Sequence, residues 1–289
     1  MDDDGRDAQR DRPIAPDGNR VWRVQTPAGP VLQKLYGERG VGLRPWLREF
    51  ATSLSRTKTG TLARARRATE ARLLALWRQH GCEAPADLTA SYPELANERT
   101  LVLEFLEGRK LSERLRDPEL DGPARAALLA AFGAAWGRRH RLAIERREPG
   151  LVQEHGTLDH VILAGPPGAP RFATIDHENA FRSRNVSAHA AKEIASVLTS
   201  LYRSQPRRPG EQVATELKDA RFRQDLRALI TGYGDPAPLA ATCERYLRPR
   251  GVLWSLVCRI DRGLEERADK RAGKFRLVGI LEEALSREA

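Results

Sequence analysis

The chain has little cysteine. It carries three, Cys82, Cys243 and Cys258, far apart and without a CxxC pair. That excludes a disulfide framework and fits a reducing compartment. Long apolar runs are missing too: none approaches the roughly 18 residues that a membrane span needs. The first residues, MDDDGRDAQRDRP, contain no apolar segment, so no secretory signal is expected there. The clustered aromatics and glycines of a nucleic-acid stacking platform are also lacking. The expectation is a cytoplasmic protein, soluble or in peripheral contact with the inner membrane surface.

Basic charge is abundant. Lysine and arginine outnumber the acids 49 to 39, for a formal net charge of +10. Such a surface attracts phosphate-rich partners: nucleotides, nucleic acid, anionic lipid or phosphorylated glycans. With 40% hydrophobic and 30% charged residues, 289 in all, the chain is globular and long enough for one large domain or two lobes.

Residues 1 to about 18 are polar and charged and read as a disordered arm. Next, VWRVQTPAGPVLQKLY places two alternating segments around Pro27-Ala28-Gly29-Pro30, a β-hairpin pattern. Leu32, Lys34 and Tyr36 share one face of the second strand. A lysine there either has a buried partner or snorkels from an edge strand. Residues 61–80 read as a long helix closed by Gly81, with Glu70, Leu73, Leu74 and Trp77 on one face. Glu70 then needs a partner, unless it lies at the rim of that stripe. Arg64, Arg66, Arg67 and Arg78 read as solvated.

TLVLEFLEG (100–108) reads as a strand ending in glycine, and a polar helix starts near Leu111. Helices are expected at 123–143, 187–202, about 217–231, about 237–247 and 252–270. The last carries an apolar stripe at Val252, Leu253, Leu256, Val257 and Ile260, followed by basic residues from Arg259 to Lys274. Trp136 and Trp254 read as core. Within this helical part lies one β insert, HGTLDHVILAGPPGAPRFATIDHENAF. Val161-Ile162-Leu163 and Phe172-Ala173-Thr174-Ile175 are short strands joined by a glycine- and proline-rich turn. Pairing them brings His160 and Asp176 together at the open end, although they are 16 apart in sequence. An imidazole and a carboxylate converging there could ligate a cation. His160 could equally hydrogen-bond a loop carbonyl. A metal hydrolase built on His155, His160, Asp176 and His177 matches no zinc spacing.

The order of these elements resembles the protein-kinase-like superfamily, and within it the lipopolysaccharide-core kinases of the Kdo/WaaP family. The resemblance spans roughly residues 20–205. It implies an α+β, two-lobed fold: N-lobe 19–106, β-rich with one helix, and C-lobe 107–289, mainly helical. VLQKLY resembles the strand whose lysine, here Lys34, contacts nucleotide phosphates. Glu70 takes the place of that lysine's helical partner. LVLEFLEGRKL resembles the hinge that holds adenine through backbone groups, around Glu104 and Leu106. HGTLDHVIL resembles the catalytic loop, and TIDHENAF the metal-binding segment, with Asp176 in the metal position and His160 beside it. The implied activity is transfer of a phosphoryl group from ATP, with Mg2+, to a sugar hydroxyl of a glycolipid or other small acceptor.

Two features depart from the family pattern. Where its loop has the proton-accepting aspartate, two residues after the first histidine, this chain has Thr157. Asp159 is the nearest carboxylate and the expected base, with Glu154 as a weaker candidate. The phosphate-binding glycine loop is poor, with only Gly18 and Gly29 nearby. These departures keep open a second reading, a pseudokinase or nucleotide-binding regulatory module without transfer activity.

Overall fold

Short β-hairpins and one helix make up the N-terminal part, and helices most of the rest, so the class is α+β. The computed structural model describes residues 19–37, 62–166, 168–181, 183–206, 214–247 and 277–286. The expected arm at 1–18, the helix at 252–270 and its basic continuation lie outside the described residues.

Strand β1 (Asn19–Thr26) pairs antiparallel with β2 (Gly29–Tyr36), and β2 with β3 (Thr100–Glu104). The turn between β1 and β2 works because Gly29 adopts φ +116°, which a side chain would resist. Register decides which residues share a face. Val24, Val31 and Val102 form a small core on one side, covered by Trp22, Leu88, Tyr92 and Leu95. Lys34, opposite Leu101, alternates to the other side with Tyr36. β3 is fully buried apart from Glu104, because residues 86–88 pair along its far edge. The sheet strand is shorter than the expected 100–108. Beyond it Gly108 lies so close to the hairpin that a Cβ would stand 2.3 Å from the Leu163 carbonyl oxygen.

Helix α1 (Ala63–Gln79) buries Glu70, Leu73, Leu74 and Trp77, as the spacing predicts. Its end is a Schellman motif. Gly81 takes φ +67°, its N–H donates to the Arg78 carbonyl, and the Cys82 N–H donates to the Trp77 carbonyl. β5 (Val161–Ala164) and β6 (Arg171–Thr174) form the second hairpin. The Ile175 N–H donates to the His160 carbonyl at 2.9 Å and closes its open end. Between these elements come β4 (Arg109–Lys110), α2 (Leu111–Arg116) and α3 (Gly122–Arg146). After the hairpin come α4 (Val186–Arg203), α5 (Thr215–Tyr233), α6 (Ala237–Leu247) and a helix over 277–286. Among the described residues no helix is long and apolar enough to cross a membrane.

The chain divides into two compact units. The first holds residues 1–109, 145–155 and 160–184, and the second 110–144, 156–159 and 185–289. The hairpin and Asp176, expected in a lobe beginning at 107, therefore pack with the first unit. The ties are specific: the Thr174 N–H donates to the Glu83 carbonyl, Arg171 pairs with Glu83, and Gln153 Nε2 donates to the Ile175 carbonyl. In the second unit, α3 and α5 meet across glycines. A Cβ at Gly133 would lie 2.3 Å from the Leu229 carbonyl oxygen, and one at Gly137 2.4 Å from that of Tyr233.

Candidate functional site

In the first unit, Lys34 is buried on the inner face of β2. Its Nζ lies 2.7 Å from Glu70 Oε2 and 2.7 Å from Asp176 Oδ1. The Tyr36 hydroxyl also donates to Glu70 Oε2, and the His177 N–H to Glu70 Oε1 at 3.4 Å. Glu70 thus joins strand, helix and the segment after β6 in one place. Burial alone would lower the Lys34 pKa. Glu70, then Asp176 and Glu178, overcome it and leave the pKa raised. Burial also pushes the Glu70 carboxyl up, against the pull of Lys34. Ammonium, hydroxyl and amide all donate to Glu70, and an ionised carboxylate satisfies all three.

Asp176 is the more open partner, with its side chain 32% exposed. Its backbone has φ +66°, a left-handed conformation that aspartate tolerates better than most side chains and that recurs at functional sites. Burial opposes ionisation there. Lys34 outweighs it, with help from His160 and His177, and holds the carboxyl at about 2.

His160 stands at the hairpin's open end as expected. Its Nε2 is 3.7 Å from Asp176 Oδ2, too long for a hydrogen bond. Its Nδ1 meets the His155 carbonyl oxygen at 2.8 Å, so the loop-carbonyl alternative holds as well. His177 is buried edge-on against Trp77, with ring centroids 4.3 Å apart, and its Nε2 meets the Thr174 carbonyl oxygen. Trp77 in turn donates to the Gly150 carbonyl at 2.8 Å.

One expectation about α1 is overturned. Arg66, read as solvated, is fully buried. Its guanidinium donates to Glu178 Oε2 at 2.9 Å, to Asn19 Oδ1 at 2.8 Å and to the Gly37 carbonyl. Arg66 lies four residues before Glu70 and so one turn along the same face. That spacing was the available signal. Glu178, two residues after Asp176, was missed with it and is likewise buried. Glu70, Asp176 and Glu178 each bring one oxygen within 4.8 Å of the others.

The remaining expected residues are placed differently. Glu104 lies opposite Val31, on the sheet face away from Lys34. Its carboxylate accepts the Ala86 N–H at 3.0 Å. The side chain is thus engaged with the neighbouring strand edge and turned away from Lys34. Leu106, two residues past β3, is half-buried. Asp159 belongs to the second unit, where it accepts the buried Ser112 hydroxyl at 2.5 Å and has Arg116 at 3.6 Å.

The donor set suits a hard cation. Magnesium takes one or two carboxylates and keeps several waters. Glu70 and Glu178 are each held by a buried cation, while Asp176 shares Lys34 and retains an exposed edge.

The class and order of elements are those that the resemblance implies: a hairpin with a lysine, a helix with an inward glutamate, a strand, helices, a second hairpin and an aspartate. No family model matches the chain, and no curated protein matches its sequence. Among solved structures it is similar to WaaP in complex with acyl carrier protein. That comparison has a TM-score of 0.39 and 15% identity, covering 82% of this chain and 88% of the other. It is also similar to an ethanolamine kinase of Plasmodium vivax. Here the TM-score is 0.37 and the identity 10%, with coverage of 96% and 81%. Neither supplies a residue role.

Proposed function

We propose that the chain is an ATP- and Mg2+-dependent phosphotransferase of the lipopolysaccharide-kinase type. Its acceptor would be a hydroxyl on a sugar of a glycolipid or on another small molecule. The observation that carries this is the Lys34–Glu70 pair, with Asp176 on the same ammonium, in one unit. Phosphoryl transfer asks a protein mainly for positioning and for neutralising phosphate charge. Lys34 would meet the nucleotide phosphates while Glu70 keeps it in place. Asp176 would hold the magnesium, with His160 at its side. Mg2+, when bound, would spread the charge of the transferring phosphate. The backbone around Glu104 and Leu106 would hold the base. The net charge of +10 suits a phosphorylated acceptor and peripheral contact with an anionic membrane surface.

Asp159 is the proposed proton acceptor, since a threonine at 157 is far too weak a base near neutral pH. Ser112 donates to it and would fix its orientation. The test is single-turnover phosphoryl transfer, or slow ATP hydrolysis, in wild type and Asp159→Asn. Loss of a base costs roughly 10²–10⁴-fold in rate. Equal rates would remove Asp159 from the mechanism. The specific observation favouring the second reading, a pseudokinase, is that Asp159 is already engaged by Ser112 and Arg116. Intact nucleotide binding with no transfer in the wild type would establish it.

A further inference from the structure

Tyr36 stands two residues after Lys34 on β2 and therefore on the same face of the strand. It is wholly buried. A buried hydroxyl needs a hydrogen-bond partner. Tyr36 finds one in Glu70 Oε2, the oxygen that also accepts from Lys34 Nζ at 2.7 Å. Burial, and then Glu70, push the hydroxyl well above the ordinary tyrosine range, so it remains a donor. The ring contributes as well. Lys34 Nζ lies 5.1 Å and the Arg66 guanidinium carbon 5.8 Å from its centroid, within the range of cation–π attraction. The Tyr36 N–H donates to the Arg99 carbonyl at 2.9 Å, which fixes the backbone from which the ring projects.

Lys34 and Tyr36 hold Glu70 in different ways. The lysine has a flexible stem, and its ammonium is divided between Glu70 Oε2 and Asp176 Oδ1. The tyrosine is a rigid ring with few torsions. With the lysine as the sole tie from β2, a turn of the ammonium toward a ligand would release the carboxylate with it. The Tyr36 hydroxyl separates the two tasks. We propose that Tyr36 is a positioning residue for Lys34, acting through Glu70: its hydroxyl fixes the carboxylate oxygen that Lys34 binds, so the ammonium can turn toward nucleotide phosphate while Glu70 stays inward. The His177 N–H supports the other oxygen at 3.4 Å, from the segment after β6. The proposal rests on the phosphotransferase reading in one respect, that the ligand of Lys34 is a nucleotide phosphate.

Tyr36→Phe removes the hydroxyl and keeps the ring. Glu70→Met removes the carboxylate, and Lys34 keeps Asp176 as a partner. ADP is titrated calorimetrically, in excess MgCl2, into the full chain as wild type, each single variant and the double variant. The ADP dissociation constant should rise about tenfold in Tyr36→Phe, near the lower end of what a hydrogen bond to a charged group contributes. In the Glu70→Met background the same substitution should change it by less than about twofold, because the group through which the hydroxyl acts is gone. Looser packing alone would weaken ADP by the same factor in both backgrounds, and that result would overturn the proposal. So would a wild-type dissociation constant in Tyr36→Phe. Should Tyr36→Phe not fold, Glu70→Met and the double variant carry the test, since neither leaves a buried carboxylate that has lost a donor. If the wild type itself does not bind ADP, the phosphotransferase reading falls and takes the proposal with it. Normal wild-type binding with an unaffected Tyr36→Phe removes the proposal alone.

Discussion

Buried charges in this protein are tied to more than one partner, and the pattern of ties sets how each titrates. Glu193 on α4 is the clearest example outside the candidate site. Its carboxylate meets Trp136 Nε1 at 3.1 Å, Arg139, and His140 Nε2 at 3.1 Å. Burial keeps His140 below its ordinary pKa, so it is neutral, donating through Nε2 to Glu193 and accepting the Tyr233 hydroxyl at Nδ1. Burial alone would raise Glu193. Arg139 and then His140 overcome it and hold the carboxyl at about 2, below its ordinary 4.5. A carboxylate depressed in this way stabilises the fold fully above about pH 4.5, and the stabilisation is lost as pH falls toward 2. Urea midpoints measured between those limits should fall steeply in wild type and less steeply in Glu193→Gln. That variant should also be less stable at neutral pH by about 3 kcal/mol, because Arg139 loses its counter-charge. Parallel pH profiles would show that Glu193 does not titrate as described.

Residues of this kind were only partly legible in the sequence. Lys34, Glu70 and Asp176 could be singled out because strand alternation, helical spacing and hairpin pairing each fix a side chain's direction. Trp136 was legible as core, but not its bond to Glu193. Arg66 was hidden among four arginines of one helix, where composition suggests water. Glu178 and Glu193 needed partners more than 50 residues away, and no local period reports those.

At the scale of elements, most strands and helices inside the described residues lie within a few residues of where the periodicities place them, but β4 and the helix over 277–286 were not expected. Nothing in the helical spacing pointed to the glycine seam. Gly133 and Gly137, four apart on α3, face the last turn of α5, and Gly232 returns the contact: its Cβ would stand 2.0 Å from the Ala130 carbonyl oxygen. Helix propensity counts such glycines as weaknesses, worth about 1 kcal/mol each. Here close backbone approach outweighs propensity. Gly137→Ala, which improves propensity, should therefore destabilise the protein by about 1–3 kcal/mol through overpacking. Denaturant unfolding gives the sign directly. A stabilised Gly137→Ala would mean that the two helices can separate at no cost. The Schellman end of α1, by contrast, was legible, because Gly81 directly follows the last turn.

On the scale of the whole molecule, the two compact units are not two continuous stretches of chain. Hairpin 160–184 returns to the first unit, and it carries Asp176 to Lys34 across 142 residues of sequence. A contact of that separation cannot be read from any window of the sequence. The resemblance implies only that Lys34 and Asp176 serve one nucleotide site; their direct contact was not expected. A magnesium–nucleotide site of Lys34, Glu70 and Asp176, as proposed, would depend on that contact. The most direct measurement is the thermal midpoint of the full chain with ADP, with and without Mg2+, in wild type and in Asp176→Asn. Ligand at 100 times its dissociation constant adds about 2.7 kcal/mol of stability, which a thermal scan resolves. The wild-type midpoint should rise with ADP and rise further when Mg2+ is present, and Asp176→Asn should fold but lose the Mg2+ increment. A wild type indifferent to ADP, or an unchanged Mg2+ increment in Asp176→Asn, would contradict the proposed site.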